Sequence, residues 1–425
     1  MIPTTVLSTC MFPVALHQVP FQSSIQYSSK RHLPDGQLSA PCSNYPRPRE
    51  APFRITPGTV RTIKPKLQAK LQEQELFRCN RLASAFRKAN VRQPRRLVSD
   101  TSPIPSTTTI DRELCSALSE LVAKESLSLE DRISLWRKES NRDTRPNKAL
   151  DPMWLDILLH GYHQRSTVAD TPKRSVSRRF TSPRAPDRQS VRNHNSARSY
   201  GTALERSLAG GQASGTYLVL EIPVALRWGQ LRFSPFGCVP KTDTDPAQEA
   251  RLIHDVSYPG GSSINVRSTQ EDSPTLEYES VRCLALRIEF LAHQHPHLTI
   301  KMLKGDVKSA FRLIPVSPGL AAYFAGSRRQ LAIIDLALPF GWTGSPAHYG
   351  AFGGAISFLV SRESPNSMEP IASAVNVFFS YVWVDDHILL EVDHGNRLAL
   401  AKAALRLGML ATLGPAAINE KHFLK

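Results

Sequence analysis

Apolar positions are spaced differently on the two sides of about residue 200. Beyond it they recur in short runs broken by Gly and Pro, the pattern of a mixed α/β domain. TYLVLEIPVALRWGQL and SPFGCVPK predict short strands, and RLIHDV predicts another. After Pro274, the residues Val281, Leu284, Ala285, Ile288 and Leu291 share one helical face. LTIKMLKGDV and LAIIDLALPF predict buried strands. Ser345 followed by Pro346 predicts a helix start, cap then first turn, for AHYGAFGGAISFLV. NVFFSYVWV and HILLEV flank Asp385 and Asp386 as the arms of a hairpin, and Arg397 to Leu410 predicts an Ala/Leu-rich helix. Strand, helix, hairpin and helix in that order make an α+β fold: a split βαβ, ferredoxin-like sheet with helices on one face.

Before residue 200 the periodicity fades. Leu114, Leu118, Leu121 and Val122 fall at helical spacing within Asp111 to Glu139, and Ser128 with Asp131 makes a capping box for a second helix carrying Ile133 and Trp136. MWLDILLHGY is the other apolar island. The remainder is rich in Pro and basic residues and poor in aromatic and β-branched ones, as in PCSNYPRPREAPFRITPG and TPKRSVSRRFTSPRAPDRQ, which predicts disorder. The expected organisation is a disordered basic region over 1–110, a small helical segment over 111–165, a basic linker over 166–200 and the α+β unit over 201–425.

Charge sharpens this division. The chain carries a formal +16, with 33 Lys and Arg against 17 Asp and Glu in the first 200 residues and 20 of each thereafter. An excess confined to one half points to a polyanionic partner held by an arm, and clustered Lys and Arg at 54–96 and 173–198 suit non-specific nucleic-acid binding or a merely solvated arm. The scarcity of aromatics in these runs argues against sequence-specific reading. The six cysteines show neither a disulfide framework nor zinc-ligand spacing. The first residues lack a signal-peptide flank and no uninterrupted apolar run reaches membrane-spanning length, so an intracellular protein with no membrane partner is expected.

Three carboxylates are candidates for chemistry: Asp306 at the end of an apolar strand, and Asp385 with Asp386 at the tip of an apolar hairpin. Carboxylates at neighbouring strand ends can converge, and hard divalent cations are held by such groups during phosphoryl transfer. Read without further context, Asp385 and Asp386 equally suit the polar turn of a hairpin.

KGDVKSAFRLIPV, LPFGWTGSPAHYG and YVWVDDHILLE stand in the order and approximate spacing of palm motifs A, B and C, and here the chain resembles reverse transcriptases. SPFGCVPK followed by RLIHDVSYPGGSSIN resembles the fingers of the same family, especially in Gypsy-like and DIRS-like retrotransposons. The resemblance runs from about Ser234 to Lys421 and implies a fingers and palm fold over 201–425. It implies an RNA-directed DNA polymerase that adds dNTPs to a DNA primer on an RNA or DNA template. Asp306, Asp385 and Asp386 would then bind two Mg²⁺ or Mn²⁺ ions, with the Val307 carbonyl beside them. Phe311 corresponds to the steric gate that excludes a 2′-hydroxyl, although a core Phe fits the residue as well. Lys241 and Arg251 correspond to the fingers cations that grip the triphosphate, and in isolation read as surface charges. Gly341 and Gly344 suit a loop whose backbone approaches nucleotide and template, or a turn before the helix. Asp255 and His254 read as structural.

Some positions depart from the family pattern. Phe340 stands where many members have Gln, and Trp383 where Tyr or Phe is usual. Lys421 corresponds to a motif D lysine, just before the chain ends. A chain truncated there is expected to lack the primer grip, the thumb and any RNase H or integrase region, and to have little processivity. The alternative is an inactive retroelement remnant that at most binds nucleic acid. An RNA-templated RNA polymerase is disfavoured by Phe311 and the Val-Asp-Asp run. Retroelement class, template preference and oligomeric state are not readable from the sequence.

Overall fold

The structure, a computed structural model, describes residues 57–95, 108–177, 191–268, 273–364 and 377–423, except positions 138, 141, 243 and 277. In chain order the principal elements are α1 (Pro57–Lys88), α2 (Arg112–Glu125), α3 (Leu129–Trp136), α4 (Pro152–Leu158), α5 (Arg165–Arg174) and α6 (Gly201–Ala213). There follow β1 (Tyr217–Glu221), β2 (Phe236–Pro240), β3 (Ala250–His254), α7 (Arg282–Gln294), β4 (Ile300–Asp306), β5 (Ala325–Arg328) and β6 (Leu331–Asp335). The last are α8 (Ser345–Arg362), β7 (Ser380–Trp383), β8 (Asp386–Val392) and α9 (Arg397–Leu413). No helix among them is long and apolar enough to cross a membrane.

The strands form three antiparallel sheets, ordered β1-β6-β5, β2-β3 and β4-β8-β7. β1 and β6 are apolar at nearly every position because both faces are covered. Leu218, Leu220, Ala332 and Ile334 enter the main core, while Tyr217, Val219, Leu331 and Ile333 pack with Leu204, Leu208 and Phe236 in a second one. β1 ends at Glu221 and the chain turns helical over Ile222–Ala225, because Pro223 has no N–H to donate to a ladder.

The sheet β4-β8-β7 carries the candidate site, and its β4, α8, hairpin, α9 order is the expected one. Leu303 and Leu389 face α8 and α9 in the main core. The expectation of helices on one face alone needs correction, since Ile300, Ile388, Leu390 and Val392 on the other face pack against α7 through Cys283, Ile288 and Leu291. These strands have apolar residues on both faces, and an apolar stripe on α7 is what covers the second.

The expected helices at 111–165 are present, with Asp111 accepting from the Leu114 N–H at the start of α2 and Ser128 from the Asp131 N–H at the start of α3. They are not a separate segment. One continuous core runs from Leu82 and Phe86 of α1 through Leu118, Leu121, Trp136 and Leu155 to Phe352 and Leu405. Residues 57–88, expected to be disordered, form the 32-residue helix α1, and α5 runs from the last residue of the expected helical segment into the expected linker. Sparse apolar residues suffice there because Leu82 and Phe86 are buried by tertiary packing, which local composition does not register. Expectations for residues 1–56, 96–107 and 178–190 lie outside the described residues.

Candidate active site

Strand register builds the site. Asp306 is the last residue of β4 and Asp386 the first of β8, and the two are direct cross-strand partners. Trp383 pairs with Asp386 across the hairpin, leaving Val384 and Asp385 as a two-residue turn. Val384 has φ +53, a left-handed conformation that costs a β-branched residue about 1–2 kcal/mol. The Val307 N–H donates to the Asp385 carbonyl at 2.9 Å, tying the turn to the end of β4. Carboxylate oxygens of Asp306, Asp385 and Asp386 accordingly lie within 4.8 Å of one another, all three side chains partly buried.

Such proximity is electrostatically costly, since like charges opposite one another in a sheet repel. Burial, then the Asp386 and Asp306 charges, push the Asp385 carboxyl up to about 6, with Arg251 acting in the opposite direction. Two side chains already engage the outer carboxylates. Lys304 Nζ lies 2.8 Å from Asp386 Oδ2, and the Asn419 side-chain amide donates to Asp306 Oδ2. Asn419 arrives because the chain after α9 returns alongside β4, where Val307 bridges Ile418 and the Lys308 N–H donates to the Ala417 carbonyl at 2.8 Å.

Two tyrosines face the cluster. The hydroxyls of Tyr278 and Tyr349 are buried without a hydrogen-bond partner, and both phenols are pushed up, first by burial and then by Asp385. Buried hydroxyls are ordinarily hydrogen-bonded, so these two are donors and acceptors still available near the carboxylates. The donor set of three carboxylate oxygens is the hard, anionic kind that Mg²⁺ or Mn²⁺ prefers, so these residues fit such ions.

The other expected site residues are distributed unevenly. Val307 is fully buried beside Asp385. Arg251, on β3, lies 5.6 Å from the Phe340 ring centroid and acts electrostatically on Asp385. Lys241 lies one residue beyond the end of the β2-β3 ladder, exposed and paired with Glu249 at 3.3 Å, and is not brought to the carboxylates. Phe311 is 4% exposed, with its ring against Phe340 at 4.8 Å and Tyr349 at 5.7 Å. Its ring is thus buried among core aromatics.

Gly341 and Gly344 each have a packing reason within the chain. At Gly341, φ is +120 and a Cβ would lie 2.0 Å from the His254 carbonyl oxygen, while at Gly344 it would meet the Trp342 ring at 2.4 Å. Ser345 begins α8 but does not cap it, since its hydroxyl donates to the Pro339 carbonyl at 2.7 Å. His254 is buried against the Ala325 carbonyl, and Asp255 pairs with His194 at 2.8 Å. Trp383 packs on Tyr278 with tilted rings 4.8 Å apart, and Lys421 is exposed. Sequence reasoning missed Lys304, Asn419, Tyr278 and Tyr349. For Lys304 a signal existed, two residues before Asp306 on the same strand face; for Asn419 there was none.

No protein-family model matches the chain, and no curated protein sequence matches it. Among solved structures it is similar to a foamy viral protease-reverse transcriptase in complex with double-stranded DNA, at 13% identity and a TM-score of 0.35, over 63% of this chain and 42% of that one. It is also similar to the native prototype foamy virus protease-reverse transcriptase, at 14% identity and a TM-score of 0.33, over 58% of this chain and 26% of that one. The chain therefore spans less than half the length of either. At these scores the likeness assigns no residue a role.

Proposed function

We propose that the chain is a nucleotidyltransferase, the RNA-directed DNA polymerase of a Gypsy-like or DIRS-like retrotransposon, with fingers and palm within 201–425. The observation that carries this reading is the convergence of Asp306, Asp385 and Asp386 within 4.8 Å at adjoining strand ends. The three carboxylates would hold two Mg²⁺ or Mn²⁺ ions. When bound, such ions lower the pKa of a primer 3′-hydroxyl and stabilise charge developing at phosphorus. The chain's own residues supply the rest. The cross-strand register fixes the spacing of the carboxylates, and Asn419 orients Asp306. Arg251, whose charge acts on Asp385, would offer a cation to a dNTP triphosphate, and Lys241 would do so only by leaving Glu249. The edge of Phe311 would bear on the sugar. Template and primer would be RNA or DNA and DNA, and the basic surface of α1 adds non-specific attraction.

The test is extension of a labelled DNA primer on an RNA template with Mg²⁺ or Mn²⁺ by the 425-residue chain and by its Asp385→Asn, Asp386→Asn variant. Extension by the wild type alone is expected; equal extension by both would sink the assignment. One observation favours a second reading, binding of nucleic acid without catalysis: Asp306 and Asp386 are each already engaged, by Asn419 and Lys304. Salt-sensitive template binding with no extension by either protein would favour it.

A further inference from the structure

Lys304 and Asp306 are two residues apart on β4 and therefore share a face of the sheet. On that face Asp306 stands directly opposite Asp386, and Lys304 directly opposite Ile388. Asp386 is thus the diagonal neighbour of Lys304, at a separation that long side chains span. The ammonium lies 2.8 Å from Asp386 Oδ2, and both side chains are about one-third exposed, at 32% and 33%. Lys304 is consequently placed to balance charge at the cluster, yet free to leave toward solvent.

We propose that Lys304 is a tethered counter-cation of the acidic cluster, which neutralises Asp386 when no divalent ion is bound and is displaced when one binds. This rests on the reading of the cluster as a divalent-ion site. Three carboxylates within 4.8 Å need positive charge to remain together, and this ion pair provides it without a metal. The same pair opposes an incoming cation, because the ammonium competes for the same oxygen. Lys304 is therefore a positioning residue that sets the metal requirement of the site. It keeps the carboxylates gathered and raises the ion concentration needed to fill them.

The test uses the full chain with Lys304→Met, which keeps the aliphatic stem, and Lys304→Arg, which keeps the charge. Direct Mn²⁺ titration, followed by the electron paramagnetic resonance of free Mn²⁺, is expected to show about 5- to 10-fold tighter binding by the Met variant and little change in the Arg variant. Unchanged or weaker binding by Lys304→Met would overturn the proposal, as would an Arg variant that behaves like the Met variant. Melting in EDTA provides the second arm. Lys304→Met should lower the midpoint by about 2 °C in the wild-type background and not in an Asp386→Asn background. Equal effects in both backgrounds would remove the ion pair from the account. If no variant binds Mn²⁺, the divalent-ion reading itself fails and the competition with it, while the EDTA comparison still decides whether the pair exists.

Discussion

Asn419 holds Asp306 at two points: its side-chain amide donates to Oδ2 and its backbone N–H donates to the Asp306 carbonyl at 3.2 Å. These residues are 113 positions apart, and only the return of the chain after α9 brings them together. An outer partner of this kind fixes the rotamer of a ligating carboxylate. Asn419→Ala is expected to weaken Mn²⁺ binding and slow primer extension about 10-fold each, with the fold retained. Parallel titration and extension measurements check this. An unchanged affinity would make the contact incidental.

Gly341 supplies a stability prediction. Its backbone is left-handed and a Cβ would stand 2.0 Å from a main-chain oxygen, which cannot be moved as a side-chain tip can. Gly341→Ala should cost at least about 2 kcal/mol in urea unfolding. Gly210→Ala, where a Cβ meets nothing within 4 Å, should be neutral or stabilising. Similar losses at both positions would contradict the packing argument.

Arg137 tests whether the N-terminal helices belong to the same folding unit as the strands. It is buried at the end of α3 and donates to the carbonyls of Val316 at 2.6 Å and Leu336 at 2.5 Å. Arg137→Ala leaves these acceptors without that donor and opens a void, an expected loss of about 2–4 kcal/mol. Circular dichroism and tryptophan fluorescence should still report one shared transition. Separate transitions would show that the helices fold independently.

Two histidines give stability opposite pH slopes. Burial, first among the causes, lowers His254 to about 4, below its ordinary value of 6.5. The unfolded chain therefore binds the proton first on acidification. The stability linked to neutral His254 is complete above about pH 6.5 and is lost as pH falls toward 4, by about 3 kcal/mol. His194 is raised by its hydrogen bond to Asp255, so its contribution is complete below pH 6.5 and is lost as pH rises through the elevated value. Urea midpoints from pH 4 to 8 should fall at the acid end, and His254→Gln should flatten that limb. An unaltered limb in the variant would assign it to other groups.

The legible parts of this fold were those with local causes. The apolar runs in HILLEV and LAIIDLALPF each record strand burial, and Ser128 with Asp131 records a helix start in four consecutive residues. The three carboxylates were legible because each ends an apolar run. Helix α1 was not, because its stability comes from Leu82 and Phe86 meeting partners far along the chain, while its surface is basic and it contains Pro65. The second covered face of the sheet β4-β8-β7 was less legible, because the apolar residues of its strands do not say which helix covers which face, and the cover for Ile300 and Ile388 comes from α7. Gly341 suits either a ligand approach or a turn before the helix, and its closeness to the His254 carbonyl depends on a contact distant in sequence.

The left-handed Val384 carries a consequence for how this hairpin would respond to selection for robustness. Glycine at that position would adopt the same turn without steric cost, but Val384 also packs its side chain against the main core. That packing pins the turn and thereby the direction in which Asp385 points. Val384→Gly would release the backbone and unpin the aspartate together, giving a hairpin that is less strained and less certain in its aim. The strain relieved and the packing lost oppose one another, so heat tolerance would be nearly blind to this exchange while the chemistry would not.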